Sequence, residues 1–392
     1  MRKLWQFMER WLSETIYEGD FKMKTYYGKN GTKYKLYEKP LGTGGEGSVY
    51  NIENDSHHVA KIYHEAKKFD TEAKRTELQK KIETMLSMHI QPVVDGVLRI
   101  AWPQDILFDN HKFVGYVMPK VSAPYKIFHI TRDDRTKIFQ NYTWKYSIQY
   151  AYNLSWVVWY LHINDIVIGD MNMNNIAVDT TGQIVLIDCD SFDIRNPRTK
   201  EHFKCEVGLP ELLAPELQTV GQMKNGTFTK ESDNFSLAIH IFRLLMNNTD
   251  PFNARVVGIN VNSQSAINLN SSIINGECPY FRKVPHKKIP QWAPKLDLLP
   301  SDIITAFERT FSYTQTTILK SAKQRTTAEE WNRILFEYAK AEPNPMLKTC
   351  PNNPSHVYPA HHTVCPFCLS EKLARRKGFL CKIKNLFGVF GI

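Results

Sequence analysis

Acidic and amide side chains interrupt the apolar stretch VIGDMNMNNIAVDTTGQIVLIDCDSFDI, residues 167–194. Asp170, Asn175 and Asp188 stand at the ends of runs that are typical of buried strands. Because an unpaired buried charge is costly, a divalent metal with a bound phosphate would explain all three side chains. The alternative is a β-hairpin that carries Asx turns.

A second candidate phosphate-binding stretch is LGTGGEGSVY, which contains four glycines, Gly42, Gly44, Gly45 and Gly47. Three of them form G-x-G-x-x-G, and Val49 extends the pattern to G-x-G-x-x-G-x-V. Glycines let backbone N–H groups approach a phosphate closely. A dinucleotide-binding fold would need a helix directly after the glycines, whereas SVYNIE continues as a strand. A plain turn is the remaining alternative.

The elements around these motifs follow from periodicity. HHVAKIYHE is a strand that carries Lys61, where a lysine is normally an edge residue with its amine in solvent. A charged helix is expected over residues 67–88. Its apolar face is formed by Leu78, Ile82, Met85 and Leu86.

Two strand pairs precede a helical region. A hairpin signal at Lys29-Asn30-Gly31 opens a β-rich stretch that continues to about residue 63. RIAWPQDILFD and FVGYVMPKV predict a second pair joined by a turn at Asp109-Asn110. Helical periodicity then covers residues 140–163, 231–247, 301–313 and 326–341. The predicted architecture is therefore a small β-rich half followed by a larger helical half, in the α+β class.

Further landmarks lie downstream in a fixed order: an Ala214-Pro215-Glu216 triplet, Asp233 opening the apolar helix DNFSLAIHIFRLLM, and Arg325 in QRTTAEEW. Together with the motifs above they resemble the protein kinase superfamily from about Tyr34 to Lys340. The GGEG loop, GDMNMNN and LIDCDSF are most similar to the bacterial eukaryotic-like serine/threonine kinases. The resemblance implies a bilobal fold that transfers the γ-phosphoryl group of ATP to a protein hydroxyl.

The resemblance also implies roles for individual residues. Asp170 would accept or orient the proton of the incoming hydroxyl, and Asn175 and Asp188 would hold Mg²⁺. Lys61 would pair with phosphate oxygens and with a helix glutamate. Arg325 would pair with Glu216 of the Ala-Pro-Glu triplet. Glu77 is preferred over Glu83 as that partner because it comes earlier in the helix. The full predicted nucleotide-binding set is Gly42, Gly44, Gly45, Gly47, Val49, Ala60, Lys61, Glu77, Met118, Lys120 and Val121.

Within that set, Met118 would guard the back of the adenine pocket, while Lys120 and Val121 would offer backbone hydrogen bonds to the base. Three departures from the kinase pattern bear on activity. Ile168-Gly169 replaces the His-Arg before Asp170, Asn172 replaces a lysine, and Cys189-Asp190 replaces Phe-Gly. A nucleotide-binding pseudokinase that acts as a docking scaffold is therefore the alternative function.

The missing arginine also predicts how the chain is regulated. In kinases that carry it, this arginine clamps a phosphorylated residue of the activation segment. Here the segment from Ser191 to Leu213 has only Ser191 and Thr199 as hydroxyl candidates. We therefore expect activity that does not depend on phosphorylation of this segment.

A cysteine- and histidine-rich stretch, CPNNPSHVYPAHHTVCPFC, follows the helical region. Cys350, His356, Cys365 and Cys368 give C-x5-H-x8-C-x2-C, a set of ligands for one tetrahedral zinc ion. The adjacent histidines at 361 and 362 could substitute for His356, and reduced unligated thiols are the alternative. Four protein ligands leave no open position, so the predicted role is structural or for docking.

Composition limits the partners and the compartment. Of 392 residues, 50 are Lys or Arg and 40 are Asp or Glu, a net charge of +10 that fits either acidic partners or a solvated basic surface. No helix-hairpin-helix signature is visible, so no nucleic-acid-binding module is expected. Seven cysteines, without disulfide-scaffold spacing, and no secretory signal predict a reducing, cytoplasmic location.

The predicted domain order places an N-terminal helical extension at residues 1–30, in which residues 1–22 form an amphipathic helix. The kinase N-lobe follows at 31–121 and the C-lobe at 122–341. A zinc knuckle spans 342–369, beginning with a linker at 342–349. The basic amphipathic tail, 370–392, would contact a membrane or partner, or pack as a terminal helix.

Overall fold

The computed structural model describes residues 22–131, 135, 137–140, 142–219, 227–257 and 268–373. The chain divides into two compact units. The first takes in the described residues up to Pro92 together with Ala101–Lys120, and the second takes in Val93–Ile100 and the residues from Val121 onward. The predicted helix over 1–22 lies outside the described residues apart from Lys22, as does the tail from residue 374.

Eighteen strands and ten helices make up the described part of the chain. The strands are β1 (Met23–Tyr27), β2 (Lys33–Tyr37), β3 (Gly42–Thr43), β4 (Gly47–Ile52), β5 (Asp55–Tyr63), β6 (Val93–Val94), β7 (Val97–Leu98), β8 (Asp105–Asp109), β9 (Lys112–Pro119), β10 (Tyr125–Lys126), β11 (Ile176–Val178), β12 (Ile184–Leu186), β13 (Ile194–Arg195), β14 (His202–Phe203), β15 (Arg255–Val256), β16 (Lys287–Lys288), β17 (Leu347–Cys350) and β18 (Asn353–Pro359). The helices are α1 (Glu65–Lys68), α2 (Glu72–Ser87), α3 (Ile127–Thr131), α4 (Trp144–Ile163), α5 (Pro215–Thr219), α6 (Lys230–Leu245), α7 (Leu269–Asn275), α8 (Ser301–Phe311), α9 (Ile318–Ala322) and α10 (Ala328–Ala339).

The first unit is built on a seven-stranded antiparallel sheet with the order β2-β1-β8-β9-β5-β4-β3. Alternation along the strands buries one apolar face, because successive side chains of a strand point to opposite sides. That face consists of Tyr26, Leu36, Ile52, Ala60, Leu107 and Val117. β1 is part of this sheet and pairs with β2 from Met23 to Tyr27, so the predicted boundary at residue 30 was placed too late.

The opposite face of the sheet is packed against aromatic side chains and α2. The ring of Tyr63 lies 5.5 Å from that of Phe69 and 5.8 Å from that of Phe113, measured between centroids. Arg75 of α2 donates from Nη1 to the Phe113 carbonyl at 2.8 Å. In place of the single helix predicted over 67–88 the structure has two helices, α1 and α2. Phe69 lies in the short segment that separates them.

The second unit is mainly helical. α4 packs against α6 and α10, and the Trp144 indole at the start of α4 donates to the Leu245 carbonyl at the end of α6, at 3.0 Å. Thr229 and Thr327 begin α6 and α10 with capping boxes. All four predicted long helices are present. Three are two to four residues shorter than expected, and α6 begins one residue before the predicted start and ends two residues before the predicted end. None of the described helices is long and apolar enough to cross a bilayer.

Two boundaries of the second unit differ from the prediction. Residues 93–100 belong to it and not to the predicted 31–121 lobe, because Ile100 bridges to Leu186 of β12. The predicted linker at 342–349 already contains the start of β17, which forms a hairpin with β18. This C-terminal hairpin lies in the same compact unit as the helices.

Candidate active site

The loop from Ile168 to Asn175, here the Asp170 loop, is anchored by a buried carboxylate of α6. Asp233 accepts the backbone N–H of Ile168 at 2.8 Å and that of Gly169 at 3.0 Å. The same carboxylate lies 3.0 Å from His162 Nε2, at the end of α4. Three donors on one fully buried acid fix the backbone immediately before Asp170.

His240 of α6 is a second support of the Asp170 loop. Its Nε2 donates to the Met171 carbonyl at 2.7 Å. Burial lowers the pKa of His240 to about 4, so the ring is neutral near pH 7 and adds no charge beneath the loop. Sequence reasoning missed His162 and His240 as supports; a charged or titratable residue inside an apolar helical run was the available signal.

Gly169 occupies the position where the kinase pattern has arginine. Gly169 has a φ of +75°, a left-handed conformation that favours glycine. A Cβ at this position would lie 2.8 Å from the Cys205 sulfur, which is too close for any side chain. The space that an arginine would need is therefore filled by the chain itself.

Asp170, Asn175 and Asp188 lie close together within the second unit. Asn175 Nδ2 is 3.4 Å from Asp170 Oδ2, and the Asn175 carbonyl accepts the Ile187 N–H at 2.9 Å, directly before Asp188. Burial, reinforced by the Asp188 carboxylate, raises the pKa of Asp170 to about 6. Asp188 itself has a φ of +54°, an uncommon conformation for a residue other than glycine. Oxygen ligands gathered in this way suit a hard divalent cation.

In the first unit, Lys61 lies on the α2-facing side of the sheet and is 7% exposed. Val49 is opposite Lys61 in the β4–β5 pair, and Met118 is opposite Val59 in the β5–β9 pair. Because directly opposed residues of an antiparallel pair project to the same face, Val49, Val59 and Met118 share the side of Lys61. Three of the predicted nucleotide-binding residues, Val49, Lys61 and Met118, thus share one face of the sheet.

Ala60 does not join that group. It projects to the other face of the sheet, where it is fully buried between Tyr26, Leu107 and Val117. The prediction that Ala60 binds the nucleotide is wrong, because the two-residue period of a strand places neighbours 60 and 61 on opposite faces. Val59, two residues before Lys61, is on the same face as Lys61.

The glycine-rich loop forms a tight reversal between β3 and β4. Gly44 N–H donates to the Gly47 carbonyl at 2.8 Å. A Cβ on Gly47 would lie 2.7 Å from the Ile62 carbonyl oxygen, so this glycine is required for packing of the sheet. By contrast, a Cβ at Gly42 or Gly45 would meet open space. Gly42 and Gly45 are therefore the glycines with room for a ligand.

The predicted partner of Lys61 is not in place. Helical spacing puts Arg75, Leu78, Ile82 and Met85 on the buried strip of α2, and Glu77 lies off that strip and is exposed. Glu83 is half-buried and accepts a hydrogen bond from Gln79 at 3.2 Å. Among the described residues no ion pair joins Lys61 to either glutamate, so the preference for Glu77 has no structural support. The buried polar side chains of α2 are Arg75, Lys81 and Thr84.

The predicted base-binding pair is available only in part. The Lys120 N–H donates to the His57 carbonyl at 2.7 Å, so it is used inside the first unit. The Lys120 amine donates to Asn51 Oδ1 at 3.0 Å. Val121, the first residue of the second unit after this strand, is half-buried. A backbone contact to a base stays a prediction for Val121 and is restricted to the carbonyl for Lys120.

The segment after Asp188 is held by its own contacts. Buried Asp193 lies 2.6 Å from His202 Nε2, and its backbone bridges to Val167 beside the Asp170 loop. Further along, Arg325 makes a bidentate pair with Glu216, with both N–O distances at 2.7 Å. This pair was predicted from the resemblance and is present. Protein contacts at Asp193 and at Glu216 therefore hold both ends of this segment.

Cys350, His356, Cys365 and Cys368 form a compact cluster whose ligand atoms all lie within 4.8 Å of one another. The Sγ atoms of Cys350 and Cys368 are 3.6 Å apart, and His356 Nδ1 is 3.4 Å from Cys368 Sγ. Four ligands at bond lengths of about 2.3 Å around zinc would be about 3.8 Å apart, so the set fits a tetrahedral ion. Glu371 lies 3.2 Å from His356 Nε2 and orients the ring.

The alternative histidine ligands are used elsewhere. The Nε2 of His361 lies 3.1 Å from the Asp297 carbonyl oxygen, and that of His362 lies 3.2 Å from the Leu298 carbonyl oxygen. Both contacts attach the β17–β18 hairpin to the helical part of the second unit. His356 is therefore the histidine of the cluster.

Comparison with known proteins assigns the chain to a family. The model of the protein kinase domain matches residues 35–332. Protein kinase YegI of Escherichia coli strain K12 is 32% identical over 340 residues, which cover 84% of this chain and 48% of that protein. The protein of the same name from Escherichia coli O157:H7 is 31% identical over 340 residues with the same coverage. The chain spans about half the length of the curated relatives it matches.

Proposed function

This chain belongs to the protein kinase superfamily, and we propose that it transfers the γ-phosphoryl group of ATP to serine or threonine hydroxyls of a protein. The observation that carries the proposal is the group formed by Asp170, Asn175 and Asp188 on a loop with rigid supports. A chain that only displayed surfaces to partners would have no physical need to keep a buried carboxylate beside a second one.

Asp170 is suited to handle the proton of the acceptor hydroxyl. A carboxylate with a pKa near 6 is ionised at pH 7 and is a better proton acceptor than an ordinary aspartate. Its position is fixed by the Asp233 anchor and by His240 below the loop. The chain therefore needs little reorganisation at Asp170 during transfer.

The residues present fit Mg²⁺, because Asn175 offers an amide oxygen and Asp188 a carboxylate next to the Asp170 carboxylate. When bound, Mg²⁺ neutralises charge on the phosphate oxygens of the substrate. In the first unit we assign Lys61 to the phosphate oxygens of ATP, and Val49, Val59 and Met118 to the base.

We further propose that the Cys350 cluster binds zinc and fixes the C-terminal hairpin. The donor set and its spacing support this, together with the contacts of His361 and His362. The six cysteines of the described residues form no disulfide, which supports action in a reducing, cytoplasmic compartment. We also propose that the basic tail contacts a partner or an anionic membrane.

A nucleotide-binding pseudokinase is the second candidate, because Gly169, Asn172 and Asp190 depart from the kinase pattern. The two candidates predict different outcomes when the chain is incubated with γ-labelled ATP, Mg²⁺ and dephosphorylated casein. The proposed kinase labels casein, and phosphoamino-acid analysis finds phosphoserine or phosphothreonine. ATP binding without transfer would favour the pseudokinase, and phosphotyrosine would contradict the serine/threonine assignment.

The same assay tests Lys61 and Asp170. Lys61→Ala and Asp170→Asn should each lower the initial rate by roughly a hundredfold or more, since positioning and charge stabilisation supply most of this catalysis. Lys35→Ala is the matched control, because Lys35 is an exposed lysine of the same sheet that pairs with Glu53. Unchanged rates in both test variants would refute the proposed residue roles.

A further inference from the structure

The Asp170 loop lacks a cation that the chemistry calls for. Two residues after Asp170 the kinase pattern has a lysine, and this chain has Asn172. The Asn172 side chain accepts the Asn174 N–H at 2.9 Å and so caps the short turn that carries Asn175. Phosphoryl transfer places negative charge on the transferred group, and fixed cations stabilise that charge. A cation on a neighbouring element of the second unit could take the place of that lysine, in addition to Lys61 and Mg²⁺.

Lys126 lies on an element that pairs with the strand directly after the Asp170 loop. β10 and β11 are antiparallel, and Lys126 is opposite Ala177, two residues beyond Asn175. The Lys126 N–H donates to His129 Nδ1 at 3.0 Å, which fixes the backbone where α3 begins. The position of Lys126 next to the loop is thus set by a strand pair and a side-chain cap.

Lys126 is half-buried and interacts electrostatically with the Asp188 carboxylate. Burial lowers the pKa of Lys126, while the Asp188 carboxylate acts in the opposite direction. Within the residues that the structure describes, Lys126 Nζ makes no hydrogen bond or ion pair. A partly desolvated cation without a direct partner, in electrostatic range of the proposed metal ligand, is suited to bind an anion.

We propose that Lys126 binds the phosphate chain of the nucleotide beside Asp188 and supplies the positive charge that Asn172 cannot. This inference rests on the proposed function, because the anion it names is that of Mg-ATP. The residue opposite Lys126 is Ala177, whose side chain ends at Cβ.

Binding measurements separate a phosphate contact from a structural role. Lys126→Met should weaken binding of Mg-ATP and Mg-ADP about tenfold or more in isothermal titration calorimetry and leave adenosine binding within about twofold. Lys126→Arg should restore most of the loss, because it keeps the charge. Lys320→Met, which changes an exposed lysine of α9, is the matched control.

Equal weakening of ATP and adenosine, or no change for either, would overturn the inference. If Lys126→Met does not fold, Lys126→Gln carries the same expectation and is read in the same way. The double variant Lys126→Met with Asn172→Lys should regain phosphate-dependent affinity. If wild type transfers phosphate and Lys126→Met binds ATP normally, only this inference is refuted. If wild type binds no nucleotide, the proposed function is refuted as well.

Discussion

Two candidate metal sites in this chain are built from opposite chemistries. The Asp170 site offers oxygen atoms, and its backbone is held by hydrogen bonds to Asp233 and His240. The Cys350 cluster offers three sulfur atoms and one nitrogen from a short hairpin and the segment that follows it, with little apolar packing beyond Tyr358 and Phe367. On the proposed assignments, we expect the first site to exchange its ion during turnover and the second to depend on its ion for structure.

Removal of the zinc ligands should have the largest structural effect. Wild type should carry about one zinc ion per chain. The double variant Cys365→Ser with Cys368→Ser should lose this zinc, and the region after residue 342 should become accessible to protease, because structural zinc supplies folding free energy of about 10 kcal/mol in small modules. Cys278→Ser, at a buried cysteine outside the cluster, should keep the metal. Elemental analysis and limited proteolysis check both. Freshly purified wild type that contains no zinc, prepared without chelator, would contradict the proposal that the Cys350 cluster is a zinc site.

Removal of Asp233, which anchors the Asp170 loop, should lower the stability of the fold substantially. Asp233→Ala should lower the free energy of unfolding by roughly 3–5 kcal/mol, because it leaves two loop N–H groups and His162 without their buried acceptor. Denaturant unfolding measures this. Asp165→Ala, at an exposed acid that pairs with Lys230, should cost under about 1 kcal/mol. Similar losses in the two variants would mean that Asp233 is not an anchor.

The second support predicts a pH dependence. His240 has a folded pKa of about 4, below the value near 6.5 of an unfolded chain. Between these values the unfolded chain binds a proton that the folded chain does not, so stability is lost as pH falls from about 6.5 to 4. At pH 5 this amounts to roughly 2 kcal/mol for His240.

His240→Gln removes that titration while keeping a side-chain donor. The difference in unfolding free energy between wild type and His240→Gln should therefore shift by roughly 2 kcal/mol in favour of the variant between pH 7.5 and pH 5. Exposed His286→Gln is the control and should show no such shift. A parallel response of wild type and His240→Gln would show that the ring is not buried in its neutral form.

Short-range patterns explain what could be predicted from the sequence. The turn at Lys29-Asn30-Gly31, the long helices and the order of the kinase motifs all depend on neighbouring residues. Cys350 and its partners were identifiable because their types and spacing define a metal site. The pair between Glu216 and Arg325 was available from the resemblance alone.

The wrong predictions concern residues whose position depends on contacts between parts of the chain that are distant in sequence. Ala60 was assigned to the nucleotide because the motif contains it, but strand pairing fixes which face it occupies. Glu77 was preferred by order along the chain, whereas packing of α2 decides which residues are buried. Lys126 gave no signal, because its approach to Asp188 depends on a strand pair across about 50 residues of sequence.

The smallest expected effect concerns the segment after Asp188. Thr199→Ala and phosphatase treatment should each change the initial rate of phosphoryl transfer by less than about twofold, since Asp193 and His202 already hold the segment and Gly169 leaves no arginine for a phosphate. Rates are compared with untreated wild type. A lag abolished by pre-incubation with ATP, or a large loss on dephosphorylation, would reveal a different basic pocket.

The most direct test of the Asp170 site is the Mg²⁺ dependence of phosphoryl transfer in wild type and Asp188→Asn. The initial rate of label transfer from γ-labelled ATP to casein is measured over a range of Mg²⁺ concentrations. We predict saturable Mg²⁺ activation in wild type and a rate lower by roughly a hundredfold or more in Asp188→Asn at every concentration, with unfolding unchanged. Equal rates and equal Mg²⁺ dependence in the two proteins would contradict the assignment of Asp188 as the metal ligand of a protein kinase.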